Sequence, residues 1–160
     1  MIRLATAADH AAIHAVVAAA FERDDEARMV DEARAAGAAL VELVAVDGGE
    51  IVGHVLFNRM TAPPGRRIAG LAPLSVRPDR QRQGVGDALT RAGLDALRAQ
   101  GVEACVVLGH PDYYPRFGFR TAAAARVISP YAGSPAFMAL ELTPGALAAA
   151  VEVGYPAAFG

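Results

Sequence analysis

Apolar and polar positions alternate along this chain in two distinct rhythms, and the switches between them mark its elements. Ile2 to Leu4 predicts a short first strand. Thr6 follows as an N-cap, with Asp9 three residues on as an imperfect capping box. Ile13, Val16, Val17 and Phe21 then recur on one side of a helix. The charged run Glu22–Glu26 breaks that pattern, and a second helix is expected from about Glu26 to Ala36, closed by Gly37. Leu40–Val46 and Ile51–Met60 read as strands joined by the hairpin turn Asp47-Gly48-Gly49-Glu50, whose residues tolerate a positive φ. A loop over Thr61–Arg67 leads to a strand at Ile68–Val76, broken by Pro73, which cannot donate to a ladder.

The stretch from Leu71 to Gly101 organises the rest. After the turn Arg77-Pro78-Asp79 comes Arg80-Gln81-Arg82-Gln83-Gly84-Val85-Gly86, then a helix from Asp87 to Gln100 stopped by Gly101. Val85, Leu89, Ala92, Ala96 and Leu97 form its expected buried stripe, with Asp87–Arg91 and Arg91–Asp95 as i,i+4 pairs on the wet face. The apolar run Ala104–Leu108 follows directly. Strand, glycine loop, helix and strand in this order predict a right-handed βαβ unit with parallel strands. Beyond it, Ala125–Ser129 and Phe137–Leu142 read as the last strands, and Thr143-Pro144 opens an expected helix over Gly145–Ala150. Val151–Gly160 is too apolar for a free tail and is expected to pack on the domain or on a second copy, which leaves a homodimer open.

Composition narrows the class. At 160 residues, 54% apolar and 20% charged, the chain suits one α/β domain spanning 1–160. Its 15 basic residues, all Arg, against 17 acidic ones give a net charge of −2, which supplies no field for obligatory nucleic-acid binding. The lone Cys105 lies in an apolar strand and cannot staple the chain. No apolar run is long enough to span a bilayer, and Met1–Leu4 leads straight into strand pattern without signal-peptide features, so a cytoplasmic location is expected. His10 and His14 fall one helical turn apart, yet no third ligand is visible and no metal is expected.

The chemistry sits in the glycine loop. Backbone N–H groups of Gln83, Gly84, Val85 and Gly86 fall where a helix begins and lack intrahelical acceptors. With the helix dipole and the rim charges Arg77, Arg80 and Arg82, they predict an anion site suited to phosphate, the alternative being a solvated turn that binds nothing. A Walker loop requires a Lys, and the chain has none. A dinucleotide fingerprint requires a third Gly where Leu89 stands, and an acidic residue near Leu108-Gly109-His110.

Val76-x-Pro78 followed by Gln81-x-x-Gly84-x-Gly86 resembles the acyl-CoA diphosphate loop of the GNAT superfamily of N-acetyltransferases. Tyr114-x-x-x-Gly118-Phe119 resembles that family's downstream motif. The pinched segment Pro111-Asp112-Tyr113-Tyr114-Pro115-Arg116-Phe117-Gly118-Phe119 lacks the family's usual Asn and full helix, and is similar to a subgroup with a Pro-x-Tyr-Tyr-x-Arg-Phe-Gly-Phe signature. The resemblance implies a mixed, mostly antiparallel sheet with a splayed central parallel pair, marked here by Pro73, and helices on both faces. It also implies acetyl-CoA as cosubstrate and an amine, small-molecule or peptide, as acceptor. Leu74, Ser75 and Val76 would pair with the pantetheine arm. Gln81, Arg82, Gln83, Gly84, Val85 and Gly86 would hold the diphosphate, and Tyr114 would act as general acid. Glu22, Glu26, His54 and His110 remain open as the base, and the acidic run Glu22–Glu26 as either an acceptor mouth or a solvated loop. A non-catalytic acyl-CoA-binding module on the same scaffold is the alternative reading.

Overall fold

The computed structural model describes residues 1–159. Six strands, β1 (Ile2–Leu4), β2 (Ala39–Asp47), β3 (Glu50–Arg59), β4 (Ile68–Val76), β5 (Ala104–Leu108) and β7 (Phe137–Glu141), form one sheet in the order β1-β2-β3-β4-β5-β7. Only β4 and β5 pair in parallel within it. Helices α1 (His10–Phe21) and α2 (Asp25–Ala35) precede β2, and α3 (Val85–Ala99) makes the crossover from β4 to β5. Gly48 and Gly49 take φ values of +59° and +79° in the β2–β3 turn, as that tight hairpin requires. No helix among the described residues is long and apolar enough to cross a membrane.

Each face of the sheet has its own cover. Val55, Phe57, Ala69, Leu71, Cys105 and Val107 pack against Leu89, Leu94 and Leu97 of α3. On the other face, α1 and α2 bury Ile13, Val17, Ala27 and Val30 against Val44 and Leu56. The C-terminal segment covers the remainder of that face, with Val127, Leu147, Val151 and Val153 packed near Ile68, Val106 and Phe137. Ala158 and Phe159 reach back to the α1–α2 cluster, so the apolar tail packs on its own domain.

Four local expectations differ in the structure. α3 buries Leu89, Thr90, Gly93, Leu94 and Leu97, while Val85, Ala92 and Ala96 are only half-buried. Thr90 is tolerated there because its hydroxyl donates to the Gly86 carbonyl at 2.9 Å. A Cβ on Gly93 would lie 2.1 Å from the Phe57 ring, so the strand sits close enough to the helix to exclude any side chain. The expected Asp87–Arg91–Asp95 ladder is also absent: Asp95 pairs with Arg98, and Arg91 lies over the Phe117 ring at 5.0 Å. Gly145–Ala150 forms isolated turns and no helix. Six residues are too few to nucleate a helix, Gly145 stands at φ +79°, and the Leu147 N–H is taken by the Glu141 carboxylate at 2.7 Å. The run Ala125–Ser129 shrinks to β6 (Val127–Ile128). It pairs with β8 (Val151–Glu152) in a separate two-stranded parallel sheet, because β7 already occupies the free edge of β5.

Candidate active site

The parallel pairing of β4 with β5 begins at Ile68–Ala104 and ends at Leu71–Val107. Directly beyond, β4 bulges. Its register against β3 jumps from Leu71–Phe57 to Leu74–Val55, so Ala72 and Pro73 together stand opposite the single residue Leu56, at a place where Pro73 could donate nothing to a ladder anyway. The two parallel strands are therefore unpaired past Leu71. Arg77 N–H donates to the Val52 carbonyl at 2.8 Å, which fixes the phase of the restored ladder. Ser75 exchanges its backbone bonds with His54, and the N–H and C=O groups of Leu74 and Val76 point the other way, into the gap. The Val76 carbonyl there accepts from Gln81 Nε2 at 3.0 Å.

The loop before α3 opens on the same gap. Arg82 and Gly84 both take left-handed conformations (φ +62° and +86°), which turns successive amides toward one side. Among the described residues, no protein acceptor takes the N–H groups of Arg82, Gln83, Gly84, Val85 or Gly86. These donors converge at the start of a 15-residue helix, where its dipole favours negative charge.

A cavity of about 760 Å³ joins these parts. Leu74, Val76, Gln81, Arg82, Gly84, Gly86 and Tyr114 line it, as does Arg80. Three residues expected at the site turn their side chains elsewhere. Ser75 is 2% exposed and faces away from the cavity. Gln83 donates to the Asp79 carbonyl at 3.3 Å, and Val85 packs against Gly53. Arg77 is also drawn off, into pairs with Asp79 and Glu50.

Tyr113 and Tyr114 sit in one 3-10 turn after β5 and differ in what holds them. Tyr113 donates its hydroxyl to Asp87 Oδ1 at 2.8 Å, and Arg116 stacks on its ring at 4.4 Å while lying 3.5 Å from Asp87 Oδ2. Burial first, and then the Asp87 carboxylate, push the Tyr113 phenol well above its ordinary range. Tyr114 is 8% exposed, its ring covers Gly109 so closely that a Cβ there would lie 2.4 Å away, and its hydroxyl has no partner among the described residues. Burial raises its phenol to about 12. Local pattern sets Asp87 on the wet face of α3 and gives no sign of its contact with Tyr113. Its partner is 26 residues distant, and no periodicity reports such a contact.

The other residues singled out in the sequence resolve as follows. His54 is fully buried, with Nε2 2.8 Å from Glu42 Oε2, and Glu42 in turn is gripped by Arg34 at 2.6 and 3.0 Å. It does not line the cavity. Phe21, expected on the buried side of α1, is 39% exposed at the helix end and lines the cavity beside Ala20. Within the acidic run Glu26 pairs with Arg23, while Asp25 meets Arg28 and Asp24 meets His14 outside it, and the run contributes no side chain to the cavity. Both nitrogens of His14 meet carboxylates, Asp31 at 2.8 Å and Asp24 at 3.4 Å. Among the described residues no group of three or more metal-capable side chains comes together.

Comparison with known proteins agrees with this geometry. Residues 1–122 match the family model of the acetyltransferase (GNAT) domain. The uncharacterized N-acetyltransferase YhbS of Escherichia coli strain K12 is 37% identical over 125 residues, covering 77% of this chain and 75% of that protein. The crystal structure of E. coli YhbS in complex with CoA superposes with a TM-score of 0.90 at 34% identity, covering 99% of this chain and 91% of the other. A GNAT acetyltransferase from Brucella melitensis in complex with acetyl-CoA gives a TM-score of 0.85 at 35% identity, over 100% and 97% of the two chains. A bulged β4 parting from β5, a free-donor loop at the start of α3 and a match over three quarters of the sequence make this chain an acyltransferase of the GNAT family.

Proposed function

We propose that the protein transfers an acetyl group from acetyl-CoA to a primary amine by direct attack. The observation that carries this reading is the row of unsatisfied amides from Arg82 to Gly86, facing the cavity that also receives the open edge of β4 and the Tyr114 ring. Those amides suit a diphosphate, and the gap beside Leu74 and Val76 offers backbone partners to the amides of a pantetheine arm. CoA and acetyl-CoA bound in the two solved relatives support the same choice of cosubstrate.

Holding the thioester carbonyl against a neutral amine is mainly a matter of positioning. The Leu74 N–H, pointing into the gap, is placed to stabilise the developing oxyanion. Tyr114 is the acid that protonates the departing thiolate, and Tyr113 is not, because its hydroxyl already donates a hydrogen bond to Asp87, whose carboxylate holds the phenolic proton in place. A phenol near 12 is a weaker acid than a thiol with a pKa of about 8.5, so the transfer alone would run uphill by roughly 5 kcal/mol. Tyr114 therefore passes on a proton that the newly bonded nitrogen replaces in the same step, and burial keeps that proton on the ring until the thiolate forms.

The test is calorimetric titration of acetyl-CoA into the wild-type protein and Gly84→Glu. The variant places a negative side chain among the free amides and forces a residue other than glycine to φ +86°, so binding is expected to vanish. Wild-type affinity in the variant overturns the loop assignment. Tight binding with no thiol released across a panel of amines would instead favour the non-catalytic module.

A further inference from the structure

Two protons must be handled in this reaction, and the tyrosine turn accounts for one. The acceptor arrives as an ammonium ion, and something at the cavity wall must take its first proton before the lone pair can attack. Candidates are few. Of the titratable groups that line the cavity, Asp87 has both oxygens engaged by Tyr113 and Arg116. Tyr113 is the donor in that pair, Tyr114 is spoken for by the thiolate, and Arg80, Arg82 and Arg116 carry no basic lone pair. His110 is left.

His110 is exposed, lines the cavity, and neither ring nitrogen has a partner among the described residues. Its carbonyl accepts the N–H groups of Tyr113 at 3.1 Å and Tyr114 at 3.4 Å, so it opens the same turn that carries the proposed acid. It also follows Gly109, the residue that the Tyr114 ring covers. The other bases left open by the sequence fall away. His54 is sealed in the core against Glu42, Glu26 is paired with Arg23, and Glu22 lies outside the cavity.

We infer that His110 is the general base for the acceptor amine, acting in the cavity that Tyr114 also lines. The inference rests on the acetyl-transfer reading above. The ammonium gives one proton to the imidazole, and the freed lone pair forms the C–N bond as the C–S bond breaks. The second nitrogen proton reaches sulfur by way of Tyr114, and the imidazolium returns its proton to water from its exposed position. Amide, thiol and one released proton balance the step.

His110→Ala should lower kcat/KM for the amine by about 100-fold near neutral pH. The deficit should shrink as pH rises and the amine deprotonates by itself, while acetyl-CoA affinity stays within twofold. Added imidazole should restore a measurable part of the lost rate, which a purely structural role would not permit. Because the side chain is exposed, the fold is not at stake, and His110→Gln gives the same comparison with a bulkier uncharged residue. Unchanged kcat/KM, or a loss equal at every pH with no imidazole rescue, overturns the assignment while leaving acetyl transfer standing. A wild-type protein that transfers acetyl to no amine overturns both together.

Discussion

Tyr113 and Tyr114 show how much one residue's surroundings decide. Both are phenols in the same 3-10 turn, and burial lifts both above the ordinary value. Yet Tyr113 donates its hydroxyl to Asp87, whereas the Tyr114 hydroxyl has no partner among the described residues and its residue lines the cavity. Tyr114→Phe removes one oxygen from a packed ring, so acetyl-CoA affinity should hold within twofold while kcat falls by about 100-fold. A single-turnover measurement with saturating cosubstrate checks this, and an unchanged rate removes the acid role. Tyr113→Phe should behave differently. It strips a donor from Asp87 and loosens the clamp between the turn and α3, which is expected to cost about 1 kcal/mol in urea unfolding and to touch turnover less. Counting back from Gly118-Phe119 singles out Tyr114 in the sequence as the candidate acid. What distinguishes Tyr113 from it is the contact with Asp87, a neighbour only in three dimensions.

Among the elements, legibility followed the range of the forces involved. Strands β2 to β5, the β2–β3 turn and the interruption at Pro73 were readable because alternation, turn chemistry and a missing N–H act within a few residues. The buried stripe of α3 was read only in part, since Thr90 and Gly93 are small or polar and hydropathy assigns them outward. What places them inside is the approach of Phe57, a tertiary fact. Gly93→Ala tests this: the new Cβ would meet the Phe57 ring at 2.1 Å, and the helix would have to back away from β3. A loss of about 1–3 kcal/mol in denaturant unfolding is expected, despite the better helix propensity of alanine. A stabilised variant would show that the contact is softer than the geometry says. The expected helix at Gly145–Ala150 failed for the converse reason. A good N-cap and a Pro at N1 are local signals, and they lose to a left-handed glycine and a side chain that captures a backbone N–H.

At the scale of the whole molecule, the layers are joined by a buried ionic row that no local pattern announces. Arg34 on α2, Glu42 on β2 and His54 on β3 link the helical layer to the sheet through contacts of 2.6 to 3.0 Å. Burial by itself would hold the Glu42 proton on, but hydrogen bonds from His54 and Arg34 outweigh it and draw the carboxyl down to about 2. An unfolded glutamate titrates near 4.3, so the folded state binds this proton less tightly than the unfolded one. The resulting stability is fully present above the unfolded value and is lost as pH falls from about 4.5 toward 2. Integrated over that window it amounts to about 3 kcal/mol. Wild-type unfolding free energy, measured in urea, should therefore drop more steeply across this range than that of Glu42→Gln, which has no proton to gain. The same Gln leaves Arg34 facing a neutral partner, so the variant should start lower at pH 7 and the two curves should converge near pH 2. Parallel curves would mean that the row is held by packing, with the carboxylate charge contributing nothing to the joining of the two layers.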